Sequence, residues 1–233
     1  MRYNIRHMKN LSKLLPGLLV LFAITTSAPA AEQWRTYNHC RLIPNEANDG
    51  DSFHAFVNGK ERILRLYFVD CPETDESFPE RVAEQAAHFG ITKTEAIAIG
   101  KKAAHFTTQQ LKEEFTVTTR WDDARGRSKL PRFYALIIVN GKDLAETLLE
   151  NGLARAYGEK AAMPDGTSGK GEAARLQRLE QHAKTERMGA WELKDDQRSH
   201  VPGISRPLMP PLPDPAKAAG KTIEKQNGRD GGI

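Results

Sequence analysis

Arg65-Leu66-Tyr67-Phe68-Val69-Asp70-Cys71-Pro72-Glu73-Thr74 decides how the rest of this chain is read. Its first half is apolar, β-branched and aromatic, the composition of a buried strand. The run then breaks on Pro72, which cannot continue a central ladder. Arg65, Asp70 and Glu73 crowd around that break. Alone, the stretch reads first as a strand with a salt-bridged exit. It is also a place where a rigid scaffold can present two carboxylates and a guanidinium to a metal or a phosphate.

Upstream, Asp51-Ser52-Phe53-His54-Ala55-Phe56-Val57 alternates polar and apolar and reads as a strand. Asn58-Gly59 is a type I′ hairpin signal, so this strand and the one over Glu61–Asp70 pair. Centring the turn there sets Asp51 opposite Leu66. Asp70 then lies four residues further along on the same face, roughly 13 Å away on a flat ladder. Only coiling, a bulge or barrel closure could bring Asp51 and Asp70 together. Arg65 has the opposite parity and needs the same distortion.

Further outward, residues 33–43 lean towards a first strand, and residues 45–50 form a turn cluster. A helix is expected over Glu80–Phe89, ended by Gly90, and a longer one from Thr94 to about Leu111. Phe115–Trp121 is a strand by propensity, Asp122–Pro131 a polar, basic loop, and Phe133–Val139 the most hydrophobic strand. Leu144–Leu149 is a short helix. Glu172–Arg187 is a longer one, with Trp191 packing at its end. Short strands with strong turns and helices between them suggest a β-rich α+β fold, a small barrel with helices packed on it.

The chain begins with Arg2, Arg6, Lys9 and Lys13, then the apolar run Leu14–Ile24, then small residues ending at Ala30. This is the layout of a secretory signal peptide over residues 1–30, and it implies a secreted or periplasmic protein. The run is too short to span a bilayer comfortably. Without those thirty residues the basic count falls from 34 to 30 against 30 acidic residues, so the mature chain is formally neutral. Overall charge is then no argument for a nucleic-acid partner; only local clusters could be. Residues 31–196 suffice for one domain with its own core. From 197 to 233 prolines accumulate among few large apolar residues, which suggests a disordered tail. Two cysteines, Cys40 and Cys71, exclude a four-cysteine zinc site; in an exported protein they could form a disulfide or remain free thiols.

Asp51 and Asp70 offer hard oxygen ligands suited to calcium or magnesium. Asp49 and Asp51 also suit ordinary turn chemistry. Within the basic loop, Arg132 opens a hydrophobic strand and so is positioned to bind a phosphate bidentately. His54, His88, His105 and His182 lack metal-ligand spacing. Phe53, Phe56, Tyr67, Phe68 and Phe133 could stack bases, although alternating strand aromatics are more commonly core.

As a set, Asp49-Gly50-Asp51-Ser52, Arg65 through Thr74, Arg132-Phe133-Tyr134-Ala135, Asn140-Gly141-Lys142 and Leu148–Ala154 resemble the staphylococcal nuclease-like (thermonuclease) family in order and spacing, over roughly Arg41–Trp191. The resemblance implies an OB-fold five-stranded barrel with about three packed helices. It also implies a calcium-dependent phosphodiesterase that cuts DNA and RNA, preferably single-stranded, to leave 3′-phosphates. By position, Asp51 and Asp70 resemble the calcium carboxylates. Cys71 stands where the family usually has Thr and would contribute its backbone carbonyl. Glu73 resembles the carboxylate that activates or orients water, and Arg65 and Arg132 the phosphate-holding arginines. Arg127, in a rival Gly-Arg pair, competes with Arg132 for the second of these places, and Tyr157 is the candidate substrate-contacting tyrosine. The segment after Glu73 is longer than in the type protein and leaves room for an extra helix. The rival reading is a non-catalytic OB module binding single-stranded nucleic acid or protein; either would act as a monomer.

Overall fold

The strand that carries Arg65 does not run through to Asp70. In the computed structural model, which describes residues 33–125 and 130–193, β1 (Arg35–Leu42), β2 (Ser52–Val57) and β3 (Lys60–Leu66) are followed by a separate two-residue β4 (Val69–Asp70). Next come α1 (Pro79–Phe89), α2 (Lys93–Gln110), β5 (Phe115–Thr119), β6 (Arg132–Val139) and β7 (Lys142–Asp143). The order ends with α3 (Leu144–Glu150), β8 (Arg155–Ala156) and α4 (Gly169–Thr185). Arg127 and the segments expected to be a leader (1–30) and a disordered tail (197–233) lie outside the described residues.

The β2–β3 hairpin has the register read from its turn, with Val57 opposite Lys60 and Ser52 opposite Arg65. Asn58 and Gly59 both take positive φ, 48° and 74°, as a type I′ turn requires. Antiparallel pairings join β1 to β2 and β5, and β5 to β6. A parallel pairing of β3 with β6, from Ile63–Arg132 to Leu66–Ala135, closes the circuit. The result is a closed five-stranded barrel of mixed direction, the OB-fold. Phe53, Ala55, Leu64, Leu66, Val117, Ala135 and Ile137 are buried within it, because inward positions recur every second residue. Of the aromatics considered for base stacking, Phe53, Tyr67 and Phe68 are buried core residues.

The expected continuous strand over Glu61–Asp70 is therefore corrected. Phe68 takes a left-handed backbone (φ 67°), which redirects the chain. The Tyr67 N–H donates to the Ala135 carbonyl at 3.2 Å and the Phe68 N–H to the Glu159 carbonyl at 2.9 Å. Val69 and Asp70 then pair with Ala156 and Arg155. Residues 66–69 are apolar throughout, so the sequence carries no mark of where one ladder is exchanged for another. Strand β5 also ends two residues early, at Thr119, with Trp121 at φ 62°.

Among the described residues, four helices accompany the barrel. The segment after Glu73 holds α1, the extra helix for which the sequence leaves room. Pro79 opens it and left-handed Gly90 closes it. Helix α2 starts on a capping box, the Thr92 side chain accepting from the Glu95 N–H while Glu95 accepts from Thr92. Trp191 meets the last turn of α4 through Lys184, 5.0 Å from its ring centre, and also lies tilted against Phe89 of α1 at 4.8 Å.

Candidate active site

Helix α2 presses the two acidic turns together. The Thr107 hydroxyl donates to the Gly50 carbonyl at 2.7 Å. A Cβ on Gly50 would stand 2.7 Å from the Cys71 Sγ and 2.8 Å from the Ala103 Cβ, so the Asp49-Gly50-Asp51 turn lies directly against Cys71 and the helix. A Cβ on Gly100 would stand 2.2 Å from the Glu73 carbonyl oxygen. The backbone of Pro72-Glu73 thus rests on a helix that has no side chain at that point. Asp49 does what its turn position suggests: its Oδ1 accepts from the Asp51 and Ser52 N–H groups at 3.1 and 2.6 Å.

With the turns in contact, the charges converge. Asp51 Oδ2 accepts from the Cys71 N–H at 2.8 Å. Arg65 Nη2 donates to that same oxygen at 3.3 Å and to Asp70 Oδ1 at 3.0 Å. One guanidinium nitrogen therefore bridges the two carboxylates that a flat hairpin would hold far apart. Burial pushes the Asp51 carboxyl above its ordinary pKa, against the pull of Arg65. Asp49 is raised further, by burial and then by Asp51. Asp51 first, and Asp70 less, raise the Arg65 guanidinium above its usual value.

Helix α1 and β8 supply three further residues with no conspicuous mark in the sequence. Gln85 is fully buried. Its amide donates to Asp70 Oδ2 and to the Cys71 carbonyl, each at 2.9 Å, while its oxygen accepts from the Glu73 N–H at 2.9 Å. Arg81, one turn earlier, donates to both Asp70 Oδ1 and Glu73 Oε1. Arg155 donates to Asp70 Oδ2 at 2.9 Å and to Glu84 Oε1 at 3.0 Å. One signal for Gln85 stood in the sequence: a polar residue on the buried Val82/Ala86/Phe89 stripe of α1.

Arg132 opens β6 on the neighbouring strand of the barrel wall. It donates to the Ser52 hydroxyl at 3.3 Å and, through Nε and Nη2, to the Arg125 carbonyl at 3.0 and 2.6 Å. Burial, followed by nearby Arg65, lowers its pKa, so the two guanidiniums influence the same space. Tyr157 is 53 % exposed and lies over the Arg155 guanidinium, 4.2 Å from ring centre to Cζ. Tyr134, stacked on Tyr67 at 4.9 Å, also feels Arg65. Cys40 and Cys71 are both buried free thiols, and burial pushes the Cys71 thiol well above its normal value.

Asp51, Asp70 and the Cys71 carbonyl are hard oxygen donors of the kind a calcium ion takes, and they share one small region. Among the described residues, no group of three or more His, Cys, Asp and Glu side chains is arranged to hold a metal ion. Asp70 accepts at both oxygens from arginines and Gln85, and the Cys71 carbonyl accepts from Gln85. The donor chemistry fits a hard cation, provided some of those partners give way.

The model of the staphylococcal nuclease homologue family matches residues 63–193 of this chain, beginning inside β3. An uncharacterized protein of Methanocaldococcus jannaschii is 28 % identical over 148 residues, 61 % of this chain and 67 % of that protein. Endonuclease YncB of Bacillus subtilis is 32 % identical over 113 residues, 48 % of this chain and 45 % of its own length. The SPbeta prophage-derived endonuclease YokF of the same organism is 29 % identical over 152 residues, 63 % of this chain and 42 % of its own. The chain thus spans under half of each named endonuclease. With the closed barrel and the convergence of Arg65, Asp70 and Glu73 inside the matched region, the chain belongs to the staphylococcal nuclease homologue family.

Proposed function

We propose that this protein is an exported, calcium-dependent nuclease that hydrolyses phosphodiester bonds in DNA and RNA and leaves 3′-phosphate ends. The observation that carries the reading is the Arg65 bridge between Asp51 and Asp70, with Glu73 held on the adjoining turn. Names of relatives support nuclease chemistry. The secretory leader in the sequence supports export, and among the described residues no helix is long and apolar enough to cross a membrane.

Each residue has a physical task. Asp51, Asp70 and the Cys71 carbonyl would hold calcium, which when bound offsets negative charge on the phosphoryl oxygens. Arg65 and Arg132 bind the phosphate through planar donors fixed by the barrel wall. Their charge stabilises the build-up on the non-bridging oxygens in the transition state. Glu73 accepts a proton from a water that attacks phosphorus in line, the bond from phosphorus to the 5′ oxygen breaks, and that oxygen takes a proton from solvent water and leaves as the hydroxyl. Tyr157 would contact the substrate beside this centre. Denatured DNA incubated with calcium should be degraded to 3′-phosphate products, and a chelator should abolish the reaction. Equal degradation with and without chelator contradicts the calcium dependence.

The second reading, a non-catalytic module that binds single-stranded nucleic acid, is favoured by one observation: the Asp70 oxygens are already engaged by guanidiniums. It predicts single-strand binding with no cleavage at any calcium concentration.

A further inference from the structure

Three guanidiniums surround Asp70, and they are not equivalent. Arg155 is 5 % exposed and Arg65 14 %, whereas Arg81 is 36 % exposed. Arg155 is also fixed by Glu84 and by the Tyr157 ring, and Arg65 by Asp51. The Arg81 side chain alone of the three spans from Asp70 to Glu73. It does so on Asp70 Oδ1, the oxygen that also faces Arg65 and, through it, Asp51.

We propose that Arg81 of helix α1 is a built-in counter-cation that occupies Asp70 and Glu73 in the cation-free protein and is displaced when a divalent ion binds. The inference rests on the calcium reading above. A divalent ion and a guanidinium on one carboxylate oxygen repel each other, and the repulsion is strong where water is largely excluded. The group that yields is the one with a long flexible stem and access to solvent. Its departure removes one cation from Asp70 Oδ1, which keeps Arg65, and releases Glu73 for water in the same movement, so loading the site and releasing the base are one event. Arg81 then stands beside the site as a third guanidinium.

Calcium binding to the full chain, measured by titration calorimetry without nucleic acid, separates the outcomes. Arg81→Gln should bind calcium about tenfold more tightly than the native chain at low ionic strength, with the gain shrinking as salt is added. Arg81→Lys, which keeps the charge, should gain much less. Arg175→Gln, whose side chain pairs with Glu146 and Glu172 instead, controls for the loss of one positive charge and should leave the affinity unchanged. Circular dichroism confirms that each variant is folded. Unchanged or weaker binding by folded Arg81→Gln overturns the inference, while continued calcium-dependent cleavage would leave the nuclease reading standing. Absence of calcium binding in both chains, with no cleavage, overturns both.

Discussion

Gly100 has no room for a side chain: its would-be Cβ lies 2.2 Å from the Glu73 carbonyl and 2.5 Å from that of Pro72. Both obstacles are backbone, so Gly100→Ala must move either α2 or the turn that carries Glu73. Overpacking of this kind costs roughly 1–3 kcal/mol, read as a lowered thermal midpoint. Cleavage should fall further than the fraction of folded protein does, since positioning errors of an ångström are costly in catalysis. Full activity in a folded Gly100→Ala protein would show that the turn's position is not critical. Gln85 teaches a related lesson about legibility. Asp51, Arg65, Asp70, Glu73 and Arg132 stood out in the sequence because charge at a strand end is conspicuous. Gln85 did not, because an uncharged amide in a helix carries no such mark, although it bonds to Asp70, Cys71 and Glu73 together.

Among the elements, α3 offers a titration. Asp143 caps it, accepting from the Ala145 N–H at 2.7 Å and the Glu146 N–H at 3.4 Å. Burial, opposed by those bonds and reinforced by Glu146 and Glu172, pushes its carboxyl up to about 6 from an ordinary 3.8. The folded protein therefore holds a proton that the unfolded chain releases at lower pH. Stability from this group is complete below about pH 4 and is lost as pH rises through about 6. Asn caps a helix about as well as Asp and does not ionise. Asp143→Asn should match the native protein near pH 4 and exceed it at pH 7 by about 1–2 kcal/mol, discounted for the residual solvent contact of a partly exposed group. Melting curves across that range check this, and a difference independent of pH would refute the assignment. The helices themselves were legible in the sequence, α1 together with the Gly90 that ends it. The two-residue strands β4, β7 and β8 were not, because so short a segment shows no periodicity and exists only through its partner.

For the whole molecule, the decisive event is the parallel pairing of β3 with β6, which joins segments about seventy residues apart. The β2–β3 register could be read from Asn58-Gly59, and that register alone put Asp51 and Asp70 far apart. What brings them together is the left-handed turn at Phe68 and the re-pairing of Asp70 with Arg155, both consequences of barrel closure rather than of local propensity. The resemblance to a known family anticipated this outcome; the residues by themselves permitted it without requiring it. The central claim is that closure builds a hydrolytic centre in which Glu73 removes a proton from water. It is tested most directly by the single-turnover rate on denatured DNA, in saturating calcium, of Glu73→Gln against the native chain. The account predicts a loss of roughly 10²–10⁴-fold with folding intact, and a rate equal to the native one would contradict it.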